Sequence, residues 1–188
     1  TSSAMLRILD METIGSLAGS GTVQILDTLT VGAANNSVSF SGTINDFGAL
    51  TKVGTGTQTL SGTNTYTGAT TINGGTLKVD GSITSAVTVN SGATLAGDGS
   101  VGSVTVNSGG HVGPGSSPGS LATGNFTLNV GSSYDVEIAG TAPGTQYDQI
   151  IVTGTVTLAG GLTVTLLNGF TPTDGSSFTS STMTAATP

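Results

Sequence analysis

The hexapeptide Val87-Thr88-Val89-Asn90-Ser91-Gly92 returns unchanged as Val104-Thr105-Val106-Asn107-Ser108-Gly109, an offset of 17 residues. Just upstream, Thr76-Leu77-Lys78-Val79-Asp80-Gly81 is echoed by Thr94-Leu95-Ala96-Gly97-Asp98-Gly99 at an offset of 18, and Gly15-Ser16-Leu17-Ala18-Gly19-Ser20-Gly21 by residues 93–99. Self-similarity at about 20 residues marks an architecture whose units bury their apolar faces only by stacking on one another. Inside each unit the apolar residues stand at i and i+2, as in Thr155-Val156-Thr157-Leu158 and Leu162-Thr163-Val164-Thr165-Leu166. That is the period of a strand with one face buried. Helix is disfavoured because glycine recurs every few residues and β-branched residues fill the intervals. The one longer stretch of acceptable helix formers, Ala4 to Ile14, has ambiguous spacing.

Short strands, glycine corners and a repeat of about 20 residues describe one lap of a β-helix. The expected fold class is therefore all-β, a parallel β-solenoid of roughly eight or nine laps spaced about 4.8 Å apart, a rod on the order of 40 Å long. Composition agrees. Gly is 31 of 188 residues, Thr 35 and Ser 23, whereas charged residues are only 7%, against roughly 25% in ordinary domains. In-register stacking places like residues above one another, so a charged column would repel itself. Thr and Asn columns are expected to hydrogen-bond along the axis, Val, Leu and Ile columns to fill the interior, and Gly to take corners at φ > 0.

The same numbers remove whole classes of function. Three basic residues and a net charge of −7 cannot neutralise a phosphate backbone, so no nucleic-acid partner is expected. A helix lying on anionic lipid needs a Lys/Arg face, and a spanning helix needs a long apolar run; neither is present, so no direct membrane insertion is expected. With no cysteine, disulfides and thiolate metal sites are excluded.

Residues 50–79, LTKVGTGTQTLSGTNTYTGATTINGGTLKV, closely resemble the passenger-associated transport repeat (the autotransporter-associated β-strand repeat) of bacterial autotransporter passengers. Residues 14–23 and 40–44 resemble the segments that usually precede it, and residues 112–138 with 147–150 and 156–158 the region that follows. The resemblance runs from about residue 12 to about 178. It implies a right-handed parallel β-helix that is exported to, or released from, the bacterial surface, and a stalk that aids passage and folding outside rather than a catalytic unit. Freedom from cysteine suits a chain that crosses unfolded. No signal peptide or C-terminal barrel is recognised, so a fragment, a processed product or a relative exported another way is expected.

Several short matches mimic active sites. Gly115-Ser116-Ser117-Pro118-Gly119 fits G-x-S-x-G, but a nucleophile elbow needs a strand-to-helix turn with an acid and a His later in the chain. The only His, His111, comes before it, and is expected to be a partly exposed turn residue. Gly97-Asp98-Gly99-Ser100-Val101-Gly102 matches G-x-G-x-x-G literally, yet Ser103 to Asn107 reads as a strand where a dinucleotide site needs a helix N-terminus. Asp135 and Glu137 share a strand face and Asp148 can stack nearby, so a glycan-active pair of carboxylates is the remote alternative; a lyase would add a basic residue or Ca²⁺, and the lone Arg7 lies far off in the chain. Solvated charges are the plainer expectation. Tyr66, Tyr134 and Tyr147 are expected to pack at corners rather than form a sugar platform, and the sequons at Asn35 and Asn125 to go unused. No catalytic, cofactor-binding or metal residue is assigned, and no cofactor is expected.

The expectation is a single β-solenoid segment over residues 1–188, with 1–13 a cap or partial turn, 50–79 the transport-repeat motif and 179–188 a polar tail. It would serve as a non-catalytic stalk, spacer or adhesin body, extracellular or on the outer cell surface, contacting host or matrix glycans or proteins. The alternative is a filament subunit that stacks end to end, because Leu162 to Leu167 reads as an ordinary stacking strand rather than a cap.

Overall fold

A computed structural model describes residues 5–183. Among them there is no helix, and the chain winds about one axis, leaving strands in each lap. The first lap holds β1 (Met5–Ile8) and β2 (Glu12–Ile14); the second holds β3 (Thr22–Ile25), β4 (Thr28–Val31) and β5 (Val38–Phe40). Next come β6 (Thr43–Asn45), β7 (Ala49–Lys52) and β8 (Thr57–Leu60), then β9 (Thr63–Asn64), β10 (Thr70–Ile72) and β11 (Gly75–Val79). The fifth lap is β12 (Ser82–Ile83), β13 (Val87–Val89) and β14 (Ala93–Gly97); the sixth has β15 (Val104–Val106) and β16 (His111–Pro114). The seventh and eighth are β17 (Ser120–Thr123), β18 (Phe126–Leu128), β19 (Ser133–Ile138), and β20 (Gln149–Val152), β21 (Val156–Leu158), β22 (Gly161–Leu166), followed by β23 (Ser181–Met183).

All pairings between these strands are parallel and join one lap to the next. One face is an eight-stranded sheet, β2-β4-β7-β10-β13-β15-β18-β21, and another a seven-stranded sheet, β5-β8-β11-β14-β16-β19-β22. The third face is broken into β1-β3-β6, β9-β12 and β17-β20-β23. The internal repeats stack as their spacing implies: Val87 pairs with Val104, and Thr76 with Thr94.

The expected eight or nine turns of about 20 residues are corrected to about six, those that carry a strand on all three faces. The first lap lacks a strand on the seven-stranded face, and the sixth meets the broken face only through bridges at Ser100. The reason is uneven lap length. Stacked partners are 17 residues apart at Asn90 and Asn107, 22 at Asn107 and Asn129, and 30 at Thr123 and Thr153. Residues spent on loops in the long laps add no strands.

Inward residues form apolar columns, among them Leu77-Leu95-Val112 and Val89-Val106-Leu128, all buried. Burying one such side chain contributes about 1.5–3 kcal/mol. Outside, Asn90 Nδ2 donates to Asn73 Oδ1 at 2.7 Å, Asn107 to Asn90 at 2.8 Å and Asn129 to Asn107 at 3.0 Å. The asparagine column is thus a hydrogen-bonded ladder, as expected. On the third face Thr43 Oγ1 likewise donates to the stacked Thr22 Oγ1 at 3.5 Å, but the threonine column of the eight-stranded face has no such ladder. One threonine sits at the centre of every strand of the eight-stranded face, from Thr13 and Thr30 through Thr88 and Thr105 to Thr157. None of their hydroxyls has a hydrogen-bond partner among the described residues. A branched Cβ places each Oγ1 beside the strand, too far from the next threonine at the inter-strand spacing of about 4.8 Å for direct contact.

The corner after the asparagine ladder shows why glycine is needed. Gly92, Gly109 and Gly131 have φ of 76°, 75° and 81°. Gly92 N donates to Gly109 O, and Gly109 N to Gly131 O, each at 2.8 Å, so the left-handed corner is itself stacked.

Candidate functional site: a polar clamp inside the solenoid

One stretch of the interior departs from the apolar rule. Lys52, Gln58, Asn64, Tyr66 and Thr70 all point inward and are almost wholly buried. Period-two alternation puts them there, in phase with Leu50, Leu60 and Ile72. Buried polar groups need partners, and these find theirs within their own laps and on laps before and after.

Asn64 is the most heavily used. Its Oδ1 accepts from Ile44 N of the preceding lap at 2.9 Å, and its Nδ2 donates to Gly62 O and to Ser82 O of the following lap, both at 3.0 Å. The side chain occupies the break in the third face between β6 and β9, replacing a missing ladder bond. Gln58 reaches further. Leu17 N donates to its Oε1 at 3.3 Å, and its Nε2 donates to Leu17 O at 2.8 Å across 41 residues of sequence. That amide pair stands in for the strand the first lap lacks. Tyr66 Oη and Thr70 Oγ1 lie 2.7 Å apart, and Thr70 Oγ1 and Ser85 Oγ 2.6 Å apart, a chain of three hydroxyls. Burial pushes the Tyr66 phenol up to about 12, so it stays a neutral hydrogen-bonding group.

Lys52 stands in an otherwise apolar column between Val31 and Ile72. Its stem runs under Gly32, where a Cβ would collide with Val53 O, and its ammonium donates to Val53 O at 2.7 Å, Gly74 O at 3.0 Å and Gly54 O at 3.2 Å. Among the described residues no carboxylate pairs with it. Desolvation draws its pKa below the ordinary lysine value, while three carbonyl dipoles hold the charge at the corner. Lys52, Gln58 and Asn64 together fasten main chain from Leu17 to Ser82, and Tyr66 and Thr70 extend the network to the Ser85 hydroxyl.

Residues 50–79 match the passenger-associated-transport-repeat. The repeat therefore covers β7 to β11 and contains every one of these clamp side chains. The match covers 30 of the 188 residues and, set in a β-solenoid, is consistent with an autotransporter passenger repeat, a family that implies secretion to the cell surface or the extracellular space. No curated protein matches the chain.

Elsewhere the structure sorts the motif matches. Gly115 to Gly119 is a loop that leads into strand β17, not a helix, so no nucleophile elbow exists there. Asp98 occupies it instead, accepting from Ser116 Oγ at 2.7 Å and Ser120 N at 3.2 Å. Gly97 to Gly102 likewise leads to strand β15. His111 is corrected from a turn residue to the first residue of β16, where its Nδ1 lies 2.9 Å from Asp135 Oδ2 on the next lap.

Asp135 and Glu137 do share the outer face of β19, and Asp148 is brought beside them. They border an open cavity of about 260 Å³ with Gly113, Ser116 and Thr165. Asp148, however, is not solvated: it is 1% exposed. One of its oxygens accepts from Gly119 N and the other from Glu137 N, both at 2.8 Å. Burial lifts its pKa to about 6 against the pull of those two amides. The carboxylate is consumed in tying the Gly115–Gly119 loop to β19. Among the described residues no group of His, Asp or Glu has a geometry that could hold a metal ion. Tyr66, Tyr134 and Tyr147 are all buried; Tyr134 Oη donates to Ser180 O at 2.6 Å, and Tyr147 packs edge-on against Phe178 with centroids 5.4 Å apart. The sequon asparagines bond within the solenoid: Asn35 Oδ1 accepts from Thr55 N, and Asn125 Oδ1 from Thr155 N.

The clamp is what the sequence reading missed. The signal was present: in Gln58-Thr59-Leu60, Asn64-Thr65-Tyr66 and Thr70-Thr71-Ile72 the polar residue has the same parity as the apolar one.

Proposed function

We propose that this chain is a non-catalytic body segment of an exported surface protein, a stalk or adhesin body, in which residues 50–79, spread over the third and fourth laps, fix the register of the laps on either side. The observation that carries this is the reach of the buried polar side chains, which bond main chain before and behind their own laps, from Leu17 to Ser82. Apolar columns of Val, Leu and Ile are nearly interchangeable along the axis, so they resist slippage weakly; a buried amide left without its partner costs about 1–3 kcal/mol. A lap that cannot slip templates the next, and the rod grows without an external energy source as chain emerges.

The test is kinetic and cellular. A Gln58→Leu/Asn64→Leu chain should refold more slowly from urea, the loss falling on the folding rate as for contacts formed in the nucleus. Displayed from the full-length protein, it should reach the surface at lower level than a Leu162→Ala chain. Unchanged refolding and unchanged surface level would end the proposal.

A second reading, end-to-end assembly, draws on one observation. Leu162, Val164 and Leu166 of β22 lie over the buried Tyr134, Val136 and Ile138 yet are themselves 60%, 50% and 48% exposed. The open edge accepts a further parallel lap, from the same polypeptide or from a second copy. Rods lengthening with protein concentration under the electron microscope favour the second copy; single short rods at every concentration rule it out.

A further inference from the structure

The threonine column of the eight-stranded face has no role in holding the fold together beyond its strands. It runs unbroken from Thr13 to Thr157, one residue per lap, and its hydroxyls are unbonded among the described residues. From Thr30 to Thr127 each member is half-buried, so methyl and hydroxyl are held in fixed orientation.

The geometry specifies what fills the gaps. Successive hydroxyls repeat at about 4.8 Å, and a hydroxyl–water bond is about 2.8 Å long; one water bridging two of them makes an angle of roughly 120°, near the tetrahedral value. A water bridging each gap would therefore repeat at the strand spacing. On one side stand the small residues Ala49, Ala69 and Ala86; on the other the asparagine ladder, whose amides bond to one another. Neither the column nor these two flanks carries a charged side chain.

A partner for this surface must be uncharged, rigid and repeating at the same interval over many units. A folded protein needs no such repeat, and a flexible polymer does not keep it. Crystalline glycan is bound through aromatic platforms, and this face has none. The oxygen rows of hexagonal ice repeat close to the inter-strand spacing and can absorb the bridging waters into their lattice. We infer that this face is an ice-binding surface, with the central threonines Thr71, Thr88, Thr105 and Thr127 as its contact row. The inference does not rest on the proposed stalk role.

The experiment grows ice slowly from a solution of the purified chain and measures protein in the ice against protein left in the liquid, with recrystallisation inhibition as a second readout. The unsubstituted chain should be enriched in the ice. Thr88→Lys/Thr105→Lys should be excluded like an inert protein, and Thr76→Lys on the seven-stranded face should behave as the unsubstituted chain. Should the lysine pair lose the far-UV β signal, Thr88→Val/Thr105→Val replaces it, keeping the methyls and removing the hydroxyls. Exclusion of the unsubstituted chain from ice overturns the inference, as does enrichment that survives the paired substitutions. Sedimentation showing that the same substitutions abolish a dimer, or their loss of binding to microcrystalline cellulose with ice partition unmoved, overturns it equally.

Discussion

Replacing Asn64 by Leu removes three hydrogen bonds at one point inside the rod. The Ile44 N–H that donates to Oδ1 at 2.9 Å belongs to a fully buried residue, so it is left without water or partner. That loss alone costs about 1–3 kcal/mol. The Gly62 and Ser82 carbonyls that accept from Nδ2 are only partly buried, so each loses no more than about 0.5–1.5 kcal/mol. Against this, leucine brings apolar area to a site where asparagine was already 0% exposed, and about 1 kcal/mol of transfer free energy returns. The net expectation is a destabilisation of about 1–5 kcal/mol, centred near 3. In urea, with a slope of about 2 kcal/mol per molar, the midpoint should fall by about 0.5–2.5 M. The control is Asn73→Leu at the exposed end of the asparagine ladder, where one 2.7 Å bond is lost to solvent and the cost should stay under about 1 kcal/mol. Equal midpoints for the two variants would refute the idea that Asn64 substitutes for a ladder bond.

Other expectations follow from the same geometry. Gly62→Ala should destabilise by about 3 kcal/mol or more, because its Cβ would run into the Gly42 carbonyl and push neighbouring laps apart, whereas Gly92→Ala meets open space and carries only the left-handed strain of about 1 kcal/mol; thermal melts compare them. Leu95→Ala, fully buried within the seven-stranded face, should cost about 2–5 kcal/mol, and Leu162→Ala on the open β22 under about 1 kcal/mol, read from urea midpoints. Asp148 provides a pH signature. Its pKa is raised to about 6 in the folded chain, so between that value and the ordinary carboxylate range the folded state holds a proton the unfolded state has released. Its contribution to stability should therefore rise as pH falls from about 7 to about 4, and be lost as pH climbs through about 6. The difference in melting temperature between the parent chain and Asp148→Asn, followed over that range, should change accordingly; a constant difference would refute the assignment.

What the sequence determined by itself is what stacking makes periodic. The identical hexapeptides at 87–92 and 104–109 fall in register because each lap pairs with the next in parallel, and a period-two apolar pattern leaves a strand one way to face the axis. The asparagine ladder was legible for the same reason, as was the repeat at 50–79 from its residues. The number of full turns was not, because it depends on how many residues each lap spends on loops, and the 17-residue and 30-residue laps share the same strand pattern. Nor could sequence tell that Gln58 reaches back 41 residues to Leu17, or that Asp148 turns from solvent to tie down Gly119 and Glu137. Those contacts bridge places where a strand is missing or a loop crosses. They exist only once the laps have closed and left main-chain groups in need of a partner, and a local pattern carries no record of that need.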